Sequence, residues 1–218
     1  MAFEAYDDYE QSERVQKWLR QNGLSIIVGI AIGLVGIFGW QQWRAHRVGH
    51  QEQASEIYQQ MQMAALTQKT DLAETLTDSL LKDYSDTAYA SFAASERAQR
   101  LVQANQLDKA IVALADAEKY AGDEQLKALM QFRTAQVQLA QGKADDAIAT
   151  LGRMPAKSYE GISQELRGDA QVKLGHPEEA RKAYQAAKAI LGENAPQGGA
   201  LLQNKIDDLA VAAGKQGA

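Results

Sequence analysis

The hydropathy of this chain changes character once. From Leu24 to Trp40 it reads LSIIVGIAIGLVGIFGW, seventeen positions with no charge and no polar face. From Arg44 onward, apolar residues recur every three or four positions between short polar turns. The first pattern predicts a helix that is apolar all round, and the second a series of amphipathic helices. No stretch alternates as a strand would. The expected fold is all-α: one N-terminal transmembrane helix followed by a short α-solenoid.

Between Arg20 and Arg44 lie 23 residues without formal charge. As a helix they would span roughly 34 Å, enough for a hydrocarbon core of about 30 Å. Trp40 and Trp43 close the run, with Arg44 and Arg47 just outside, as at a headgroup interface. A cleaved signal peptide fits poorly, because the chain opens on the acidic FEAYDDYEQSE and no small-x-small site follows the apolar run. Residues 24–43 are therefore expected to be a membrane anchor and residues 1–23 a cytoplasmic arm. Within the arm, Val15, Trp18 and Leu19 share one face of a helix expected to lie on the membrane and to end at Asn22-Gly23. Arg14, Lys17 and Arg20 precede the span against Arg44 and Arg47 after it, a narrow bias toward a cytoplasmic N-terminus. Ser25, Gly29, Gly33 and Gly36 fall on one face of the anchor and are candidates for close packing against another helix, in a second copy or another membrane protein. Glycine is also common in membrane helices without such a role.

Residues 44–213 repeat themselves. AQRLVQANQLDKAIVAL (98–114) returns 37 residues later as AQVQLAQGKADDAIATL (135–151), and GDAQVKLGHPEEARKAY (168–184) follows at an offset of 33. Each copy ends a helix at Asn105, Gly142 or Gly175, and acidic residues then open the next helix at the positive end of its dipole. Ala110, Ala147 and Ala180 come next, small enough for two helices to cross closely. Leu114, Leu151 and Tyr184 follow four residues on, expected to fill the interface. Upstream, Gln51–Thr67 and Asp71–Tyr84 form a further helix pair, the first continuous with the anchor. Downstream, GENAPQGG (192–199) sets off a last helix, Ala200–Ala213, whose Leu201, Leu202, Ile206 and Leu209 would cap the stack. Residues 214–218 are expected to be a flexible tail. The spacing resembles the tetratricopeptide repeat, best in the third copy with Gly168, Gly175, Ala180, Tyr184 and Ala187.

Composition narrows the chemistry. The chain carries a formal net charge of −5 and no basic stripe, which argues against nucleic acid as a partner. It has no cysteine, which excludes disulfides, thiol catalysis and cysteine zinc sites. His46 and His50 have the i, i+4 spacing of a metal clamp but no third ligand nearby, so a polar helix face is the plainer reading. Neighbouring acids such as Asp145-Asp146, Glu178-Glu179 and Asp207-Asp208 diverge on a helix, and the first two pairs already serve helix starts. No nucleophile elbow, P-loop or dinucleotide turn is present. Neither enzyme activity nor a cofactor, metal or small-molecule substrate is expected.

A solenoid of helix pairs presents a concave surface lined by the first helix of each pair, a surface suited to polypeptide segments. Repeat spacing places there Phe92, Gln99 and Val102 in the first copy, Phe132, Gln136 and Leu139 in the second, and Asp169 and Val172 in the third. Phe92 and Phe132 fit an inter-helix core equally well.

The order of features along the whole chain, with VQKWLRQNG (15–23), GIFGWQQWRAH (36–46) and LRGDAQVKLGHPEEAR (166–181), resembles the YfgM family of ancillary SecYEG translocon subunits. The resemblance implies a Gram-negative inner-membrane protein with its C-terminal domain in the periplasm. It further implies two partners, the SecYEG translocon and an anchored periplasmic chaperone of the prolyl-isomerase type, and a role in handing exported proteins to chaperones. Two other readings compete with it. One is an anchored scaffold for a different envelope assembly, such as cytochrome maturation or division, and the other a metal protein or enzyme using His46 and His50.

Overall fold

A computed structural model describes residues 4–155, 157–191 and 196–216, excepting the side chains of 4–13, 26, 196–197 and 210–216. Among the described residues all regular structure is helical. The elements are α1 (Glu4–Leu66), α2 (Thr70–Asp83), α3 (Ala88–Gln103), α4 (Leu107–Lys119), α5 (Glu124–Ala140), α6 (Ala144–Arg153), α7 (Glu160–Lys173), α8 (Pro177–Leu191) and α9 (Pro196–Gln216). The chain falls into two compact units, Met1–Glu52 and Gln53–Ala218.

The described part of the first unit is α1 alone. The helix does not stop at Asn22-Gly23 as expected. Asn22 Nδ2 instead donates to the Trp18 carbonyl, four residues back at 3.0 Å, so the side chain follows the helical ladder rather than ending it. The interruption comes slightly later, as a bend of 46° between Arg14–Ser25 and Ile27–Leu66. Gly23 and Ser25, which weaken the ladder locally, precede it. Val15, Trp18 and Leu19 are exposed, and beyond the bend Val35 and Phe38 are 74% and 73% exposed. No single helix among the described residues is long and apolar enough to cross a membrane. The bent pair together has the length and composition to do so.

The second unit is a run of helix pairs. The last turns of α1 pair with α2, then α3 with α4, α5 with α6 and α7 with α8, while α9 packs on α8. One turn joins the members of every pair. Gln68, Asn105, Gly142 and Gly175 have φ of 59°, 55°, 78° and 77°, at intervals of 37, 37 and 33 residues. In each turn this residue donates to the carbonyl three back, and its successor donates to the carbonyl five back. The second bonds are Lys69 to Ala64, Gln106 to Leu101, Lys143 to Gln138 and His176 to Gln171, all 2.8–2.9 Å. This is the Schellman closure, which caps the last carbonyls of the first helix and requires a left-handed residue. There are thus four copies rather than three, the first being the pair ending in α2. The last interval is short because α6 and α7 have 10 and 14 residues where α4 and α5 have 13 and 17. Pro155 ends α6 by forcing Met154 into extended backbone.

Within each copy, two buried positions sixteen residues apart trade volume. The pairs are Met61 and Thr77, Ala98 and Leu114, Ala135 and Leu151, and Gly168 and Tyr184. As the residue on the second helix grows from Thr to Leu to Tyr, the one on the first shrinks from Met to Ala to Gly. In the fourth copy the fit is direct, since a Cβ on Gly168 would collide with the Tyr184 ring. Thr77, fully buried, meets the cost of its hydroxyl by donating to the Ala73 carbonyl at 2.8 Å. The next small positions, Ala73, Ala110, Ala147 and Ala180, are all fully buried.

The last helix begins earlier than expected, at Pro196, a residue suited to a first helical turn. It also continues to Gln216, into the stretch expected to be a tail. Residues 192–195 of the GENAPQGG stretch and residues 217–218 lie outside the described residues. Leu202 and Leu209 seal the stack by packing on Ala180, Tyr184 and Ala187, with Ile206 beside them, while Leu201 is 65% exposed.

Gly168→Ala is expected to destabilise the second unit by about 1–3 kcal/mol through overpacking. Adding Tyr184→Leu, which recreates the third copy's pair, should recover part of that loss. Denaturant melts of both single variants and the double variant measure the coupling. Gln68→Gly should stabilise by about 1 kcal/mol, because its left-handed φ then carries no Cβ penalty. A higher thermal midpoint reads this out.

Candidate functional site

α3 and α5 are the first helices of successive copies and lie side by side over α4. Between them is a groove of about 320 Å³. Buried Ala98, Leu114 and Val137 form its floor, and Val102 its apolar flank. Exposed Gln99 and Gln136 stand at its rim. Arg133 donates to the Ser95 hydroxyl within the groove.

Of the residues that repeat spacing assigns to a binding surface, Gln99, Val102 and Gln136 line this groove. The others lie elsewhere. Phe132 is 9% exposed, packed with Ala135, Ala147, Leu151 and Leu166, and Leu139 packs against the same cluster. For Phe132 the structure thus shows the core alternative. Phe92, 36% exposed, leans on Tyr58 and Tyr89 with ring centroids 6.1 and 6.3 Å away. Asp169 accepts from the Tyr184 hydroxyl and from Lys205 Nζ, each at 2.7 Å, and so ties α7, α8 and α9 together. Val172 is exposed on α7. Arg133 and Val137 were not anticipated. Positions 133, 136, 137 and 140 follow the i, i+3, i+4, i+7 rule, so the groove face of α5 was readable in the helical period. On α1, Ser25 is exposed, and a Cβ on Gly29, Gly33 or Gly36 would meet nothing within 4 Å. His46 and His50 also lie on α1, and among the described residues no group of three or more His, Asp or Glu forms a metal-binding cluster.

Two hydroxyls near these helices are held in their neutral form. Burial raises the Tyr58 pKa well above the ordinary tyrosine range, and its hydrogen bond to Glu96 and the charge of Glu96 add to this, while the charge of Arg133 opposes it. Burial likewise raises Tyr184, helped by its bond to Asp169 and by the charges of Asp169 and Glu165. For Lys205 burial works against the charge, but bonds to Asp169 and Glu165 at 2.7 and 2.8 Å outweigh it, and its pKa is raised. Glu96 also accepts from Gln62 Nε2 at 2.8 Å, so this carboxylate is engaged on the α1 side of α3. The groove therefore offers apolar area, two amides and one fixed cation, which is the chemistry of non-covalent holding.

Comparison with known proteins gives a consistent picture. The model of a family described as a tetratricopeptide repeat-like domain matches residues 16–211. The Ancillary SecYEG translocon subunit of Escherichia coli (strain K12) is 30% identical over 205 residues, covering 94% of this chain and 98% of that one. A protein of the same name from Haemophilus influenzae is 28% identical over 186 residues, 84% of this chain and 91% of that one. Another from Aggregatibacter actinomycetemcomitans is 30% identical over 207 residues, 94% of this chain and all of that one.

The raised tyrosines give a pH dependence with a definite sign. A folded state that holds a proton longer than the unfolded one contributes stability that is complete below the unfolded pKa, here the ordinary value of 10.0, and is lost as pH rises through the folded value. Lys205 acts in the same direction from its ordinary 10.5. In an absorbance titration of tyrosinate, Tyr58 and Tyr184 should ionise late, together with unfolding. Tyr184→Phe should remove one of these late steps.

Proposed function

Because the chain belongs to the family of ancillary SecYEG translocon subunits, whose tetratricopeptide repeat-like domain it carries, we propose that it is a membrane-anchored, protein-binding adaptor at the SecYEG translocon. In this reading it links newly exported proteins to periplasmic chaperones, among them an anchored partner of the prolyl-isomerase type. The observation that carries the reading is the extent of the similarity. It begins at residue 16, ahead of the apolar stretch, and runs through the last repeat to residue 211, so both parts of the chain are shared with the relatives.

The exposed apolar surface of α1 supports the anchor. Leu24, Ile27, Val35 and Phe38 are all more than 60% exposed, and a contiguous surface of that kind calls for lipid or protein cover. The span crosses the inner membrane once, with the N-terminus cytoplasmic and residues 44–213 in the periplasm. Ser25, Gly29, Gly33 and Gly36 give a translocon helix room for close approach. The groove between α3 and α5 receives client segments. Tethering beside the channel exit raises the local concentration to as much as about millimolar, so weak binding in the groove suffices.

A photo-crosslinking residue at Gly33 should capture translocon subunits in intact cells, and one at exposed Gln136 should capture exported chains or a periplasmic chaperone. Capture of only an unrelated envelope complex from both positions would favour the scaffold reading instead. The chain has no cysteine, so single cysteines at Ser12 and Ala104 report topology directly. A membrane-impermeant maleimide added to cells with a permeabilised outer membrane should label the Ala104 variant and spare the Ser12 variant.

A further inference from the structure

The lining of the α3–α5 groove contains one charged residue, and in a chain of formal net charge −5 that residue is a cation. Arg133 is half-buried, and its hydrogen bond goes to the neutral Ser95 hydroxyl. Among the described residues no carboxylate stands within ion-pair distance of it. Two other arginines of the same region are handled differently. Arg97 meets Glu74 and Asp78 at 2.6 Å each, and Arg100 meets Glu74 at 2.7 Å. Glu96, the carboxylate nearest this part of α3, is already engaged by Tyr58 and Gln62, and a half-buried guanidinium with no ion-pair partner favours an incoming carboxylate, which it can bind through paired N–H donors.

The rim states what form that carboxylate arrives in. The side-chain amides of Gln99 and Gln136 are exposed on opposite helices, and neither hydrogen-bonds to another described residue. A docked helix has its own backbone groups paired and would leave these amides idle. An extended chain brings unpaired N–H and C=O groups at every residue, and an amide can answer either. Below the rim, Ala98, Leu114 and Val137 offer a floor for an apolar side chain. On α3 the groove runs from Ser95 to Val102, seven residue steps and roughly 10 Å of helix. That length matches about three residues of extended chain.

We propose that the groove binds an extended polypeptide segment in which an apolar residue seats on the Ala98–Leu114–Val137 floor and an acidic residue within about three positions pairs with Arg133. Gln99 and Gln136 hold the backbone between them. The inference rests on the adaptor reading and deepens it: the preferred clients are acidic-apolar segments, and basic ones are disfavoured by the same cation.

The test uses the full-length chain in detergent micelles and fluorescence anisotropy with two labelled, capped nonapeptides. Both alternate leucine and serine, one with a single central glutamate and the other with glutamine in its place. The glutamate probe should bind on the order of tenfold tighter at low salt, and the gap should narrow as salt rises. Arg133→Gln should abolish the preference, so that the two probes bind alike, whereas Arg133→Lys should keep part of it. Val102→Glu, at an exposed position, should weaken both probes. Thermal melts establish that each variant is folded. Equal binding of the two probes to the wild-type chain, a preference that survives Arg133→Gln, or no binding of either probe would each overturn the proposal. Translocon capture from Gly33 does not depend on the groove. Its failure alongside an intact glutamate preference would sink the placement at the translocon and leave the groove chemistry standing.

Discussion

Constant volume at the crossing of each helix pair is the constraint on which the second unit depends. Four successive copies meet it with three size combinations, Met61 with Thr77, alanine with leucine twice, and Gly168 with Tyr184, each pair buried. Protein interiors tolerate neither voids nor overlap, so a change on one helix must be answered on the other. The turn is fixed more rigidly than the residues. All four copies close with the same two hydrogen bonds around a left-handed residue, although only two of them spend a glycine there. Holding the turn geometry while exchanging crossing residues keeps each pair in register and lets successive pairs differ in sequence.

This explains which parts of the fold were legible beforehand. The second, third and fourth copies announced themselves through Ala110, Ala147 and Ala180 followed by a large residue four positions later. The first copy follows the same rule, but with a threonine where leucine or tyrosine stands and a glutamine at the left-handed position. Thr77 is acceptable only because its hydroxyl bonds to the Ala73 carbonyl, an arrangement that hydropathy cannot register. Asn22-Gly23 misled in the opposite sense. The dipeptide has the chemistry of a helix stop, yet the Asn22 amide bonds back to Trp18 and the helix continues to a bend.

The groove shows the limit of repeat spacing more finely. On α3 two of the residues it marked, Gln99 and Val102, line the groove. On α5 it marked Gln136, which lines the groove, but also Phe132 and Leu139, which pack in the core next to the lining residues Arg133 and Ala140. One position on a helix is about 100° of rotation, enough to move a residue from groove to core. Hydrophobicity biases such an inference toward the wrong side, since a phenylalanine attracts notice and an arginine beside it reads as surface. Asp169 was drawn from the same spacing. It is instead committed to Tyr184 and Lys205 at the end of the stack.

Fold and groove share residues, and this determines where a groove can exist at all. Ala98 and Leu114 are the crossing pair of the second copy and also the floor of the groove. In the third copy the corresponding space is occupied, since Phe132 and Leu139 pack with Leu151 and Leu166. In the fourth, Tyr184 fills it and α9 closes over it with Lys205. The second copy alone combines a small residue on its first helix with a neighbour, α5, that turns an arginine and a glutamine toward the opening. An affinity confined to one such site, with a few apolar side chains and one ion pair, is necessarily modest. A weak site becomes useful only when its ligand is supplied at high local concentration, a condition that the proposed tethering beside the translocon would meet.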